Sequence, residues 1–226
     1  MLKTIIFDCD GVIADTEPLH LSTLQQTLEH EGISITKEEY YRYYLALDDR
    51  GCFNHVFKRF GVELTDRKLE QLMQRKAAVL EPIMRKELKL FPGVVDFIRA
   101  AAARFPLAVA SGALAGEIDL ILKHADVRDC FKVIVSAEDV RNGKPHPEPF
   151  IKALSLINSS LGQSIQPGEC LVIEDSVHGV EASRLAGMRC LAVTNSYDGG
   201  RLSQADIVAE NLAEISLDQI ETALAR

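Results

Sequence analysis

Five short apolar runs, at residues 3–8, 106–111, 131–135, 169–173 and 190–194, each stop at small or polar residues. Helical patterns fill the intervals between the later runs. Strands alternating with helices in this way imply a parallel sheet with helices on both faces. Between residues 16 and 88 the texture changes, with helical periodicity dominating and no buried-strand run. Leu69, Leu72, Met73, Leu80 and Ile83 fall on one helical stripe. Phe91-Pro92-Gly93 then marks the return of the first pattern. The expected fold class is α/β, with a discontinuous core domain of residues 1–15 and 88–226. A small all-helical domain of residues 16–87 is inserted after the first strand.

Composition narrows the partners. The 33 acidic against 25 basic residues give a formal charge of −8, so the surface repels nucleic-acid phosphates and acidic lipid. Neither nucleic acid nor membrane is an expected partner, and an anionic substrate would need a local positive site or a metal ion. No stretch approaches the roughly 18 consecutive apolar residues of a membrane span. At the N-terminus, Asp8 and Asp10 interrupt the apolar residues too early for a secretory leader. Cys9, Cys52, Cys130, Cys170 and Cys190 are odd in number and scattered, without a CxxC pair. That usage points to reduced thiols and a cytoplasmic location, not to disulfides or a zinc site.

Ligands of open parallel sheets bind beyond the carboxyl ends of the strands. The first run ends in Asp8-Cys9-Asp10-Gly11. Two carboxylates after a buried strand are costly unless a cation shares the site, although an acidic strand-end turn is the simpler alternative. The second run delivers Ser111-Gly112-Ala113 before a helix from about Leu114. Ser111 and free backbone amides suit a phosphate group; a plain helix cap at Ser111 is the competing account. After the third run, Lys144 lies in a loop stiffened by Pro145, Pro147 and Pro149, which makes a fixed cation for phosphate. His146 in the same loop reads as solvated. The fourth run ends in Glu174-Asp175-Ser176, a second acidic pair able to complete an oxygen-rich shell for magnesium; Asp175 or Ser176 could also cap the next helix.

In this order, each after an expected strand, the set Asp8-Cys9-Asp10-Gly11-Val12, Ser111, Lys144 and Glu174-Asp175 resembles the haloacid dehalogenase superfamily over essentially the whole chain. Asp15-Thr16-Glu17 and a helical insertion there look like the subgroup of phosphoglycolate phosphatase, sugar-phosphate phosphatases and β-phosphoglucomutase. The resemblance implies a Rossmann-like parallel sheet core with an inserted helical cap. It implies Asp8 as the nucleophile that forms an aspartyl-phosphate, and Asp10 as the acid and then the base. Magnesium would be held by Asp8, the Asp10 main-chain carbonyl and Asp175, with Glu174 close by. Ser111, Gly112 and Lys144 would hold the phosphoryl group. The implied activity is a magnesium-dependent phosphatase acting on a small phosphorylated metabolite, in a monomer or weak homodimer. The metal-free dehalogenases lack the second aspartate, whereas Asp10 is present here. A phosphosugar mutase is the alternative, because His20 and Lys76 sit where β-phosphoglucomutase also has histidine and lysine in its cap. Against it, the stretch 45–51 lacks that enzyme's Ser-Arg substrate loop, although Arg50 could reach a substrate. A degenerate, non-catalytic member would have lost Asp8, Asp10 or Lys144, and none is lost.

Overall fold

The computed structural model describes residues 1–45 and 47–225, so Ala46, within the stretch 45–51 compared above, lies outside the described residues. The chain divides into two compact units, Met1–Asp15 with Lys89–Arg226, and Thr16–Leu88.

The first unit is built on a six-stranded sheet. Its strands are β1 (Thr4–Phe7), β4 (Leu107–Ala110), β5 (Phe131–Val135), β6 (Cys170–Glu174), β7 (Arg189–Val193) and β8 (Ile207–Ala209), in spatial order β5-β4-β1-β6-β7-β8. Every neighbouring pair is parallel, giving the expected α/β, Rossmann-like core. All four residues of β1 and of β4, and all five of β6, are buried. Strands covered on both faces read as continuous apolar runs, which is why these were visible in the sequence. Alternate side chains serve opposite faces. Ile6 joins Val172, Phe150 and Ala182 in one apolar cluster. Phe7, pointing the other way, packs edge-to-face with Phe97 and Phe131 at centroid separations of 6.2 and 5.6 Å. The helices of this unit are α5 (Val94–Ala102), α6 (Ala115–His124), α7 (Glu148–Leu161), α8 (Val177–Leu185) and α9 (Leu217–Leu224).

Three strands were not foreseen. β8 has three half-exposed or exposed residues, so it carries no buried run. β2 (Ala14–Asp15) and β3 (Lys89–Leu90) form an antiparallel ribbon of two residues a side, too short for any period to register.

The second unit contains α1 (Glu17–Glu29), α2 (Lys37–Tyr43), α3 (Asp49–Arg59) and α4 (Asp66–Glu87). Leu24, Leu28, Tyr44, Phe53, Phe57 and Leu72 are buried together in its core. On α4, Leu69, Leu72, Leu80 and Met84 are buried, while Met73 and Ile83 flank the stripe half-buried. Thr36, Asp48 and Thr65 accept hydrogen bonds at the starts of α2, α3 and α4, each satisfying an amide that the helix cannot. Among the described residues no helix is long and apolar enough to cross a membrane.

Candidate active site

β1 lies between β4 and β6, so the residues leaving the carboxyl ends of these strands converge. Asp8 follows β1 directly, and its amide donates to the Ile173 carbonyl at 2.9 Å, extending the β1–β6 ladder by one residue. The chain then turns, with the Gly11 amide bonded to the Ala14 carbonyl at 2.9 Å and the Ile13 amide to the Cys9 carbonyl at 2.8 Å. Gly11 is left-handed, with φ +75°, and a Cβ there would lie 1.9 Å from Asp175 Oδ2. Both the dihedral and the close approach require glycine.

Glu174 is fully buried. Its Oε2 accepts from the Asp175 amide at 2.9 Å, the Ser176 amide at 3.0 Å and the Ser176 hydroxyl at 2.9 Å. Its Oε1 accepts from Lys144 Nζ at 2.6 Å. Ser176 in turn caps α8 by accepting from the Gly179 amide at 3.0 Å. The Lys144–Pro145 peptide is cis. Lys144 Nζ sits 4.9 Å from the centre of the Phe150 ring and 2.9 Å from Asp8 Oδ1. That last contact is an ion pair, and Asp8 Oδ1 is buried with no hydrogen-bond partner besides it.

The charges are unevenly shared. Burial dominates at Asp8 and, with repulsion from Glu174 and Asp10, outweighs the pull of Lys144 to push its pKa up to about 7. Burial works the same way on Glu174, but Lys144 and the amides of Ser176 and Asp175 hold that carboxyl below its ordinary value. For Lys144, burial alone would lower the pKa, yet the Asp8 and Glu174 carboxylates raise it above the ordinary range. One ammonium thus serves two carboxylates, Asp8 at 2.9 Å and Glu174 at 2.6 Å. Asp8, Glu174 and Asp175 each offer an oxygen within 4.8 Å of the others, all from buried residues. An oxygen-only donor set with one orphaned carboxylate oxygen fits a hard divalent cation.

After β4, Ser111 Oγ lies 3.4 Å from Asp10 Oδ2 as donor and accepts from the Ala113 amide at 3.1 Å. Ser111 does not cap α6, whose N-cap is Leu114. Nor are the amides of this loop generally free. Leu114 donates to Glu117 Oε2 at 3.2 Å and Ala115 to Glu138 Oε2 at 2.9 Å. The Gly112 amide makes no hydrogen bond with the described residues, and the space beside its Cα is open. The loop thus presents one hydroxyl and one amide. Asn195, just beyond β7, was missed in the sequence: its Nδ2 donates to the Gly11 carbonyl at 2.7 Å. Its only signal was its place after a strand.

In the helical unit, Lys76 is 1% exposed, so its side chain points inward. Its Nζ lies 2.5 Å from Asp49 Oδ1 and 2.9 Å from His20 Nδ1. His20 and Lys76 are thus brought together, with Asp49 as a partner the sequence did not suggest. Arg50, in α3, is exposed, and its side chain makes no hydrogen bond or ion pair with the described residues. A cavity of about 450 Å³ lined by Arg184, Arg189 and Asp206 lies at the amino ends of β7 and β8, the opposite end of the sheet from these carboxylates.

Residues 5–193 match the haloacid dehalogenase-like hydrolase family. The phosphorylated carbohydrates phosphatase of Thermotoga maritima is 32% identical over 213 residues, covering 92% of this chain and 93% of that one. The fructose-1-phosphate phosphatase YqaB of Escherichia coli is 28% identical over 189 residues, covering 84% and 95%. The crystal structure of β-phosphoglucomutase from Clostridium difficile superposes with a TM-score of 0.87 at 20% identity, covering 100% and 98%. At that identity the likeness speaks for the fold alone.

Proposed function

The chain belongs to the haloacid dehalogenase-like hydrolase family, and on that premise we propose that it is a magnesium-dependent phosphatase of small phosphorylated carbohydrates. The supporting observation is the buried Asp8 carboxylate, which shares the single Lys144 ammonium with Glu174 and clusters with Glu174 and Asp175. In this reading an Asp8 oxygen attacks phosphorus, forming an aspartyl-phosphate, while the leaving ester oxygen takes a proton from Asp10. Asp10, now a carboxylate, removes a proton from water as the water oxygen attacks phosphorus. Inorganic phosphate departs and the Asp8 carboxylate is restored. Lys144, the Ser111 hydroxyl and the Gly112 amide hold the phosphoryl oxygens, and Glu174 fixes Lys144. Positioning and charge neutralisation of this kind supply most of the rate in phosphoryl transfer.

Magnesium is assigned to Asp8, Asp175 and the Asp10 main-chain carbonyl, bordered by Glu174, whose oxygens already serve Lys144 and backbone amides. Bound there, the ion would neutralise phosphoryl charge and keep Asp8 ionised. The test is a screen of phosphorylated metabolites with magnesium, reading free phosphate, and including β-glucose 1-phosphate with glucose 1,6-bisphosphate. Hydrolysis of sugar monophosphates is expected. Formation of glucose 6-phosphate in preference to free phosphate would make the protein a mutase instead.

A further inference from the structure

Lys144 is the third residue of Asn142-Gly143-Lys144, on the loop between β5 and α7. Asparagine followed by glycine is the dipeptide most prone to cyclise, because glycine has no side chain to hinder its own amide nitrogen. Here Arg141, Asn142 and Gly143 are all exposed and outside any regular element. Nothing lies within 4 Å of the place a Gly143 Cβ would occupy, and the Gly143 amide makes no hydrogen bond with the described residues.

The start of the loop is tied by one carboxylate, while the His146 amide donates to the Gly143 carbonyl at 3.0 Å. Glu148 Oε1 accepts from the Arg141 amide at 2.8 Å. Glu148 Oε2 accepts from the Asn142 amide at 3.1 Å and from the Asn142 side chain at 2.9 Å. Converting that side chain to an acid would turn a donor into a second carboxylate facing Glu148.

We propose that Asn142-Gly143 is a self-modification site whose conversion unties the loop and withdraws Lys144 from Asp8 and Glu174; the loss of activity it entails rests on the reading of Lys144 given above. The Gly143 nitrogen attacks Asn142 Cγ while water relays its proton to the departing Nδ2. A carbon–nitrogen bond forms, the Cγ–Nδ2 bond breaks, and ammonia leaves. Water then opens the cyclic imide to aspartate or to isoaspartate. Aspartate repels Glu148, and isoaspartate also adds one methylene to the backbone leading to Lys144. A misplacement of about 1 Å at a reacting centre can cost roughly 10²-fold in rate.

The test incubates the full-length protein in warm, mildly alkaline buffer, following Asn142 by peptide mass spectrometry and isoaspartate by enzymatic methylation. Wild type is expected to accumulate acid at residue 142 while activity falls in step. Gly143→Ala, which has room for its methyl group, should keep both its amide and its activity severalfold longer. Asn142→Asp should begin with low activity at an unchanged melting temperature. An Asn142 that converts no faster than Asn158 or Asn195, or an Asn142→Asp variant as active as wild type, would overturn the proposal. A fully active Lys144→Ala would refute the reading of the site instead, leaving the mass data to decide the modification.

Discussion

Each unit pairs an inward-facing lysine with carboxylate, fully buried at Lys76 and half-buried at Lys144, and the two lysines are held differently. Lys144 is caught between two carboxylates from different strand ends, Asp8 after β1 and Glu174 in β6. Glu174 is itself locked by three donors from the start of α8. Lys76 has one carboxylate, Asp49, at 27% side-chain exposure, and one imidazole, His20. The first arrangement leaves carboxylate in excess of ammonium, so it invites another cation. The second is balanced within its own helices. A buried charge therefore marks chemistry by how its neighbourhood fails to close, not by burial alone.

The sharpest break of this comparison is Asp8→Asn. If Asp8 is the proposed nucleophile and metal ligand, its loss should raise the barrier by at least roughly 5 kcal/mol, more than a thousandfold in kcat/KM, with the fold unchanged by circular dichroism. Appreciable residual turnover would remove Asp8 from its role. Next comes the metal: EDTA should abolish turnover, magnesium restore it, and calcium restore it poorly, because its larger, looser shell misplaces the phosphoryl group. Full activity in chelator would mean that the carboxylate excess is met by protons. A smaller effect is expected at Asn195. Without its hydrogen bond to the Gly11 carbonyl the turn carrying Asp8 and Asp10 loosens, and Asn195→Ala should lower kcat about tenfold with KM nearly constant.

The mildest effects belong to the helical unit. Replacing a buried ion with an apolar side chain of similar volume is often neutral or stabilising, so Lys76→Met should melt at or above the wild-type temperature. Asp49→Ala strands the lysine and should cost about 1–3 kcal/mol, discounted because Asp49 is partly hydrated. If His20, Lys76 and Arg50 meet the substrate, alanine at Lys76 or Arg50 should raise KM with little change in kcat. Unchanged kinetics in both would leave Lys76 a structural ion and Arg50 a solvated one.

The same contrast explains what the sequence made legible. Asp8, Ser111, Lys144 and Glu174-Asp175 follow buried apolar runs, and a parallel sheet delivers strand ends to one edge, so order along the chain foretold proximity. Asp49 and Asn195 had no such guide. Asp49 reads as an ordinary first-turn acid of α3, and its pairing with Lys76 depends on how helices pack. Asn195 belongs to a strand end like the others, but a lone amide carries no charge pattern to single it out. The amides after Ser111 are taken by side chains, Ser111 and Glu117 folding back locally and Glu138 reaching over from the segment after β5, choices invisible to periodicity.

The small ribbon of β2 and β3 has a consequence for inheritance as well as architecture. Ala14 pairs with Leu90 and Asp15 with Lys89, so the chain departs from the sheet-bearing unit and rejoins it at neighbouring points. In topological terms residues 16–88 are the loop of a hairpin, and lengthening a closed loop is cheap, at about 0.6 kcal/mol per doubling. A different cassette could be spliced between Asp15 and Lys89, or a short turn substituted for it, without rethreading a single strand of the sheet that carries Asp8.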